Sequence, residues 1–216
     1  MDETPMGIEA IEAANACPTT GHPHNAGPRP WPVLRVVSSS SDAAIDEFLT
    51  RFLPSTTTDA MVSWISVVNL EFPDAPEGDI DSMIHEWRLE CRSGNANPAV
   101  LHELGRKYNV LSGKWMVFPK REDVDLVWRK IVYAVARGQL GPSAKVSPTP
   151  TREKRDDHVI CVYAANFLDE DDVRRIRQGL RALGHNEQLL FKPDVYTDCG
   201  VYTKNPWNIP AHSFAE

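Results

Sequence analysis

Apolar residues recur at helical spacing in several stretches of the chain, and each stretch has its own punctuation. Ile45, Phe48, Leu49 and Phe52 line one face of a helix that Ser41 can cap and Pro54 stops. Ile80, Met83, Ile84, Trp87 and Cys91 form a second stripe, closed by Ser93-Gly94. A short helix is predicted from Pro98 to Tyr108, with proline in the first turn where its missing N–H costs nothing. Val124, Val127, Trp128, Ile131 and Val135 mark a long amphipathic helix over Glu122 to Arg137. Val173, Ile176, Leu180 and Leu183 mark another over Asp169 to Leu183. Gly138 and Gly184 stand where those two helices should stop.

Between these stripes lie short runs rich in β-branched and aromatic residues. Val33–Val37, Met61–Val68, Ser112–Phe118, Ala144–Ser147, His158–Tyr163, Leu189–Phe191 and Val201-Tyr202 read as strands. Strands and helices in this order predict an α+β domain. Its expected form is a curved, mainly antiparallel sheet with helices packed on the convex face, which buries every apolar stripe at once. Alternation puts Lys145 and Ser147 on one face of their strand, so both can point into a groove on the concave side.

Length and composition refine this picture. The 216 residues suit one domain over 31–210, a proline-rich disordered tail over 1–30 and a short C-terminal tail over 211–216. A formal net charge of −7 argues against nonspecific binding of duplex DNA, yet leaves room for a local basic pocket. The four cysteines are widely spaced with no Cys-x-x-Cys pair, which argues against a zinc ribbon. Cys91 and Cys161 sit on apolar patterns and read as small core residues. The acidic N-terminus has no apolar run, and no stretch approaches the ~20 apolar residues of a membrane span. A reducing compartment, cytoplasm or nucleus, is the expectation.

Enzyme signatures are missing. There is no phosphate loop, dinucleotide fingerprint, nucleophile elbow or kinase set, and no cofactor is expected. His102-Glu103 lacks the second histidine of a zincin, and His22-Pro-His24 reads as part of the tail. The acids Asp169 to Asp172 read as complements to a helix N-terminus rather than as a catalytic pair.

Two groups of residues could carry ligand chemistry. The loop Thr151 to Asp157 contains Arg152, Lys154 and Arg155, readable as a solvated hairpin tip or as phosphate contacts. The string Lys192-Pro-Asp-Val-Tyr-Thr197 makes a poor buried strand. It reads either as a turn, with Asp194 bonding backbone amides, or as a polar site. In the polar reading Lys192 and Lys145 hold an anion, Asp194 takes a base edge and Tyr196 stacks, with Trp64 or Trp207 as further stacking surfaces.

The wording Gly113-Lys114-Trp115, followed by a Val124-Asp-Leu-Val-Trp128 helix, resembles the core of the cap-binding translation initiation factor. The strings Leu111-Ser-Gly-Lys-Trp115, Ala144-Lys-Val-Ser-Pro148, Val159-Ile-Cys-Val-Tyr163 and Lys192-Pro-Asp-Val-Tyr-Thr197 are more similar still to the basophilic leukaemia-expressed protein family. That family is counted as having the cap-binding-factor fold. The resemblance implies that Lys114 and the Arg152 to Arg155 loop lie near a phosphate region. It also marks a departure. The factor has a Trp-Glu pair ahead of its Gly-Arg-Trp strand, whereas His102 to Tyr108 here contains no tryptophan, and Thr149 stands at about the place of a phosphate-binding arginine. The expectation is a noncatalytic RNA- or nucleotide-binding groove lined by Lys114, Lys145, Ser147, Arg152, Lys154, Arg155, Lys192, Asp194 and Tyr196, with no intact tryptophan sandwich. The alternative is a protein-interaction module that kept the fold and lost its ligand.

Overall fold

A computed structural model describes residues 31–73, 77–151 and 157–216. Its elements run β1 (Val33–Val36), α1 (Asp42–Arg51), β2 (Ile65–Asn69), α2 (Ile80–Arg92), α3 (Pro98–Lys107), β3 (Gly113–Val117), α4 (Val124–Ala136), β4 (Ser143–Val146), β5 (Ile160–Ala164), α5 (Glu170–Ala182), β6 (Leu190–Pro193), α6 (Asp194–Asp198) and β7 (Phe214–Ala215). The proline-rich segment 1–30 and the cations Arg152, Lys154 and Arg155 lie outside the described residues.

Helix ends follow from local chemistry. The Ser41 hydroxyl accepts from the Ala44 amide to open α1, Asp79 does the same for α2, and Asn97 takes two amides of α3. Asp169 caps α5, and Glu170, Asp171 and Asp172 fill its first turn, so the acidic cluster is a helix start. Gly138 (φ 67°) and Gly184 (φ 106°) end α4 and α5 in left-handed backbone.

The strands form one open sheet in the order β1-β2-β4-β5-β3-β6-β7. Among these strands β1 and β2 pair in parallel and the other pairs are antiparallel. The register aligns Leu34, Val67, Ala144, Val162, Trp115, Phe191 and Phe214 in one row across all the strands. This row faces helices. Asn69, on the same pleat as Val67, donates its side-chain amide to the Val135 carbonyl of α4 at 2.8 Å. Trp115 donates its indole N–H to the Val173 carbonyl of α5 at 2.9 Å. Trp115, Trp128, Ile131, Val162, Ile176 and Phe191 are fully enclosed there and make the centre of the core.

Three sequence expectations shift. The strand expected from Met61 begins only at Ile65, because residues before it turn, and Met61 itself is 59% exposed. Val201-Tyr202 is not a strand. Val201 is buried, but its amide returns to the Tyr196 carbonyl across Gly200, the bond of a glycine-capped helix end. The C-terminal residues are not a loose tail: Phe214–Ala215 pair with β6, and Glu216 exchanges backbone bonds with Leu189.

Candidate functional site

The face of the sheet opposite α4 and α5 carries a different set of residues. Two rows cross it. One aligns Val33, Ser66, Lys145, Cys161, Met116 and Leu190; the other aligns Arg35, Val68, Ser143, Tyr163, Lys114 and Lys192. Lysines from β4, β3 and β6 therefore project to the same side, with Tyr163 between them. The Lys114 ammonium lies 5.9 Å from the Tyr163 ring centre and the Lys145 ammonium 5.5 Å.

Around Lys145 the neighbours are aromatic. Its ammonium stands 4.4 Å from the Trp64 ring and 5.2 Å from the Trp31 ring. Trp64 precedes Ile65 by one residue and so falls on the opposite pleat, the open side. Trp31 lies two residues before Val33, sharing its parity, and its indole N–H is tied to the Ser66 hydroxyl beside Lys145 in the register.

At the other end α6 supplies the acids. Lys114 and Lys192 face each other directly across β3 and β6, a like-charge pair at close cross-strand distance. Asp194 relieves it, taking the Lys114 ammonium and the Ser112 hydroxyl on its two oxygens. Lys114 also donates to Thr197 Oγ1 at 3.1 Å. Burial works against the charge on Lys114, but the Asp194 carboxylate outweighs it and holds its pKa above the ordinary value. For Lys192 the same acids, Asp194 and Asp198, compensate less than burial costs. The Lys192 ammonium sits 3.7 Å over the Tyr202 ring, and burial, reinforced by Lys114, pulls its pKa down to about 8. Asp198, one helical turn beyond Asp194, is pushed up to about 6 by burial and by Asp194, against the pull of Lys114, Lys192 and Lys145. All five charged groups thus belong to one electrostatic cluster.

The expected site residues divide accordingly. Lys114, Lys145, Lys192 and Asp194 come together on this face, with Lys145 and Asp194 half-buried and Lys114 and Lys192 buried, at 9% and 6% exposure. Ser147 lies on the same pleat as Lys145, and its hydroxyl oxygen accepts the Val159 amide at 3.0 Å. Tyr196 is a correction: it offers no stacking face. Its ring is 2% exposed and tilted against His102, with the hydroxyl 3.1 Å from His102 Nε2, and burial drives its pKa to about 12. The reason is that Asp194 to Asp198 form a helix rather than a turn. Asp194, Thr197 and Asp198 share one side and Val195 and Tyr196 turn inward. Trp207 likewise packs edge-on against the buried Trp87, ring centres 5.1 Å apart, away from the lysines. Sequence reasoning missed Trp31, Tyr163, Asp198 and Tyr202. Only Trp31 carried a usable signal, its even spacing from Val33.

Among the described residues no group of histidine, cysteine and acidic side chains could hold a metal ion, and no helix is long and apolar enough to cross a membrane.

A family model described as Basophilic leukemia-expressed protein Bles03 matches residues 90–200, just over half of the chain, and the chain belongs to that family. Among solved structures it is similar to a schistosome eIF4E complexed with m7GpppA and 4E-BP, at 18% identity and a TM-score of 0.38. A schistosome eIF4E complexed with m7GpppG and 4E-BP gives 16% identity and a TM-score of 0.37. Each match covers 50% of this chain and 60% of the other, so the chain spans less than two thirds of those proteins.

Proposed function

We propose that this member of the Basophilic leukemia-expressed protein Bles03 family binds single-stranded RNA or a nucleotide-like ligand, without catalysis, on the open face of its sheet. The observation that carries the reading is the placement of Lys145 and Lys192 beside Trp31, Trp64, Tyr163 and Tyr202 on one side of the sheet. Phosphates need cations, and bases need flat apolar surfaces. Lys114 takes a lesser part in this reading, because Asp194 already engages it.

The test is a fluorescence-anisotropy titration with a short labelled single-stranded RNA at two salt concentrations. Affinity should fall as salt rises. The Lys145→Ala/Lys192→Ala double variant should lose about tenfold or more, equivalent to about 1.4 kcal/mol, while remaining folded by circular dichroism. Binding by the parent weaker than about 0.1 mM, no tighter than ordinary nonspecific contact, would discard the reading. So would full affinity in the double variant.

One observation favours a second reading, docking of a protein partner on the helical side. Leu49, Leu53, Pro54, Leu126 and Trp128, with the polar Thr50, Asp125 and Arg129, line a cleft of about 230 Å³ between α1 and α4. Leu126 is 58% exposed at its rim. Crosslinking in cells distinguishes the two: a protein partner joined to α1 and α4, with the open face free of RNA, supports the second.

A further inference from the structure

Resting on the open-face reading, the chemistry around Lys145 specifies what kind of ligand that face takes. Indole and phenol rings carry negative charge on their faces, so a group of them converging on one point is a site for a cation. Here three rings, Trp31, Trp64 and Tyr163, converge within 4.4 to 5.5 Å of one ammonium, and that ammonium belongs to Lys145. The rings come from different segments and are held independently. Trp31 is tied to Ser66, Trp64 is fixed by its place at the start of β2, and Tyr163 is paired in register with Lys114 and Ser143. Lys145 is fixed on β4 between Ser66 and Cys161.

We infer that Trp31, Trp64 and Tyr163 form a cation-binding box already filled by the chain's own Lys145, so that the open face accepts an anionic ligand with an uncharged ring and turns away a cationic one. A positively charged ring arriving at these aromatics meets an ammonium that cannot leave its strand. It also enters a field to which Lys114 and Lys192 contribute, with Asp194 and Asp198 opposing them. A phosphate-bearing ligand meets the opposite situation: the same ammonium attracts it, and Trp31, Trp64 and Tyr163 are each partly exposed to an uncharged base. The site therefore distinguishes an ordinary base from its N-alkylated, positively charged form, and favours the ordinary one.

Replacing Lys145 by alanine should reverse that preference. The measurement is a titration of the full chain followed by the tryptophan indole N–H resonances in nuclear magnetic resonance, which report Trp31 and Trp64 separately from the other indoles. The probe is phenyltrimethylammonium, a cationic aromatic without phosphate. The parent should show no saturable shift. Lys145→Ala should bind the probe about tenfold or more tightly, with shifts at Trp31 and Trp64. Lys145→Arg, which keeps a cation in the box, should behave like the parent. Lys145→Thr, a residue suited to a strand, serves as a second emptied box should alanine disturb the sheet. Saturable binding of the probe to the parent at Trp31 and Trp64 would overturn the inference. So would a folded emptied variant that binds the probe no better than the parent. The single-stranded RNA titration of the parent separates the two proposals. If the RNA fails to bind while the emptied box gains the cation, the open-face function falls and the filled box stands.

Discussion

Lys114 and Asp194 form a largely enclosed ion pair between the middle of the sheet and the first turn of the short helix that follows it. Only 11% and 20% of the two side chains are exposed. The pair does a structural job, neutralising one member of the Lys114–Lys192 cross-strand contact and fixing α6 to β3.

Removing one partner should be costly because it strands the other. Lys114→Met should destabilise the domain by about 3 kcal/mol, the usual result of leaving a buried carboxylate without its cation. Adding Asp194→Asn to it should recover a large part of that loss. Urea denaturation of the single and double variants measures both. Equal midpoints for parent and Lys114→Met would show that the pair is solvated and inessential.

Asp198 makes stability depend on pH in a specific direction. Burial raises its folded pKa to about 6 from 3.8. A carboxyl that prefers its proton in the folded state stabilises the fold fully below its unfolded pKa and loses that contribution as pH rises through the folded one. Asp198→Asn should therefore leave the melting temperature little changed near pH 4 and raise it above the parent's at pH 7. Lys192 acts in the opposite sense: its folded pKa of about 8 lies below the ordinary 10.5, so its contribution is present at high pH and lost as pH falls through 8. Thermal melts across pH 4 to 10 test both. A melting difference between Asp198→Asn and parent that does not change between pH 4 and 7 would contradict the first.

Trp128 fills the centre of the helix-facing core with no exposed surface. Trp128→Ala should cost about 3–5 kcal/mol in chemical denaturation. Trp128→Phe should cost much less, because it also removes a buried N–H that has no acceptor. A parent-like midpoint for the alanine variant would mean that α4 does not anchor the core.

Gly141 lies where the chain passes from α4 into β4. A Cβ there would stand 1.8 Å from the Tyr163 carbonyl oxygen, a backbone atom that cannot step aside without disturbing β5. Gly141→Ala should destabilise by about 3 kcal/mol, at the upper end of overpacking effects, and should disturb Tyr163 on the open face. A variant with parent-like stability would show that this connection has room.

The five longer helices were legible because their evidence is local. The 3.6-residue stripes, the Ser41 and Asp169 caps and the Gly138 and Gly184 stops all act within a few residues of one another. The α+β class followed from their alternation with strands. The site was only half legible, because it depends on register. β3 lies between β5 and β6, far from either in sequence, so nothing local announces that Lys114 will face both Tyr163 and Lys192. Alternation was enough to place Lys145 and Ser147 on a common face. It failed in the Lys192 to Thr197 string, where the period changes from two to 3.6 within a few residues. That change sends Tyr196 into the core and brings Asp198 to the lysines. β7 was invisible for a related reason: two residues, Phe214 and Ala215, are too short to carry a pattern.

The central claim is that nucleic acid lies on the open face, and photo-crosslinking tests it most directly. The full chain would be irradiated with a single-stranded RNA and the adducts assigned by peptide mass spectrometry. Crosslinks should concentrate at Trp31, Trp64, Tyr163 and Tyr202 and fall sharply in the Lys145→Ala/Lys192→Ala variant. Crosslinks confined to α1 and α4, or equal yields from parent and double variant, would contradict it.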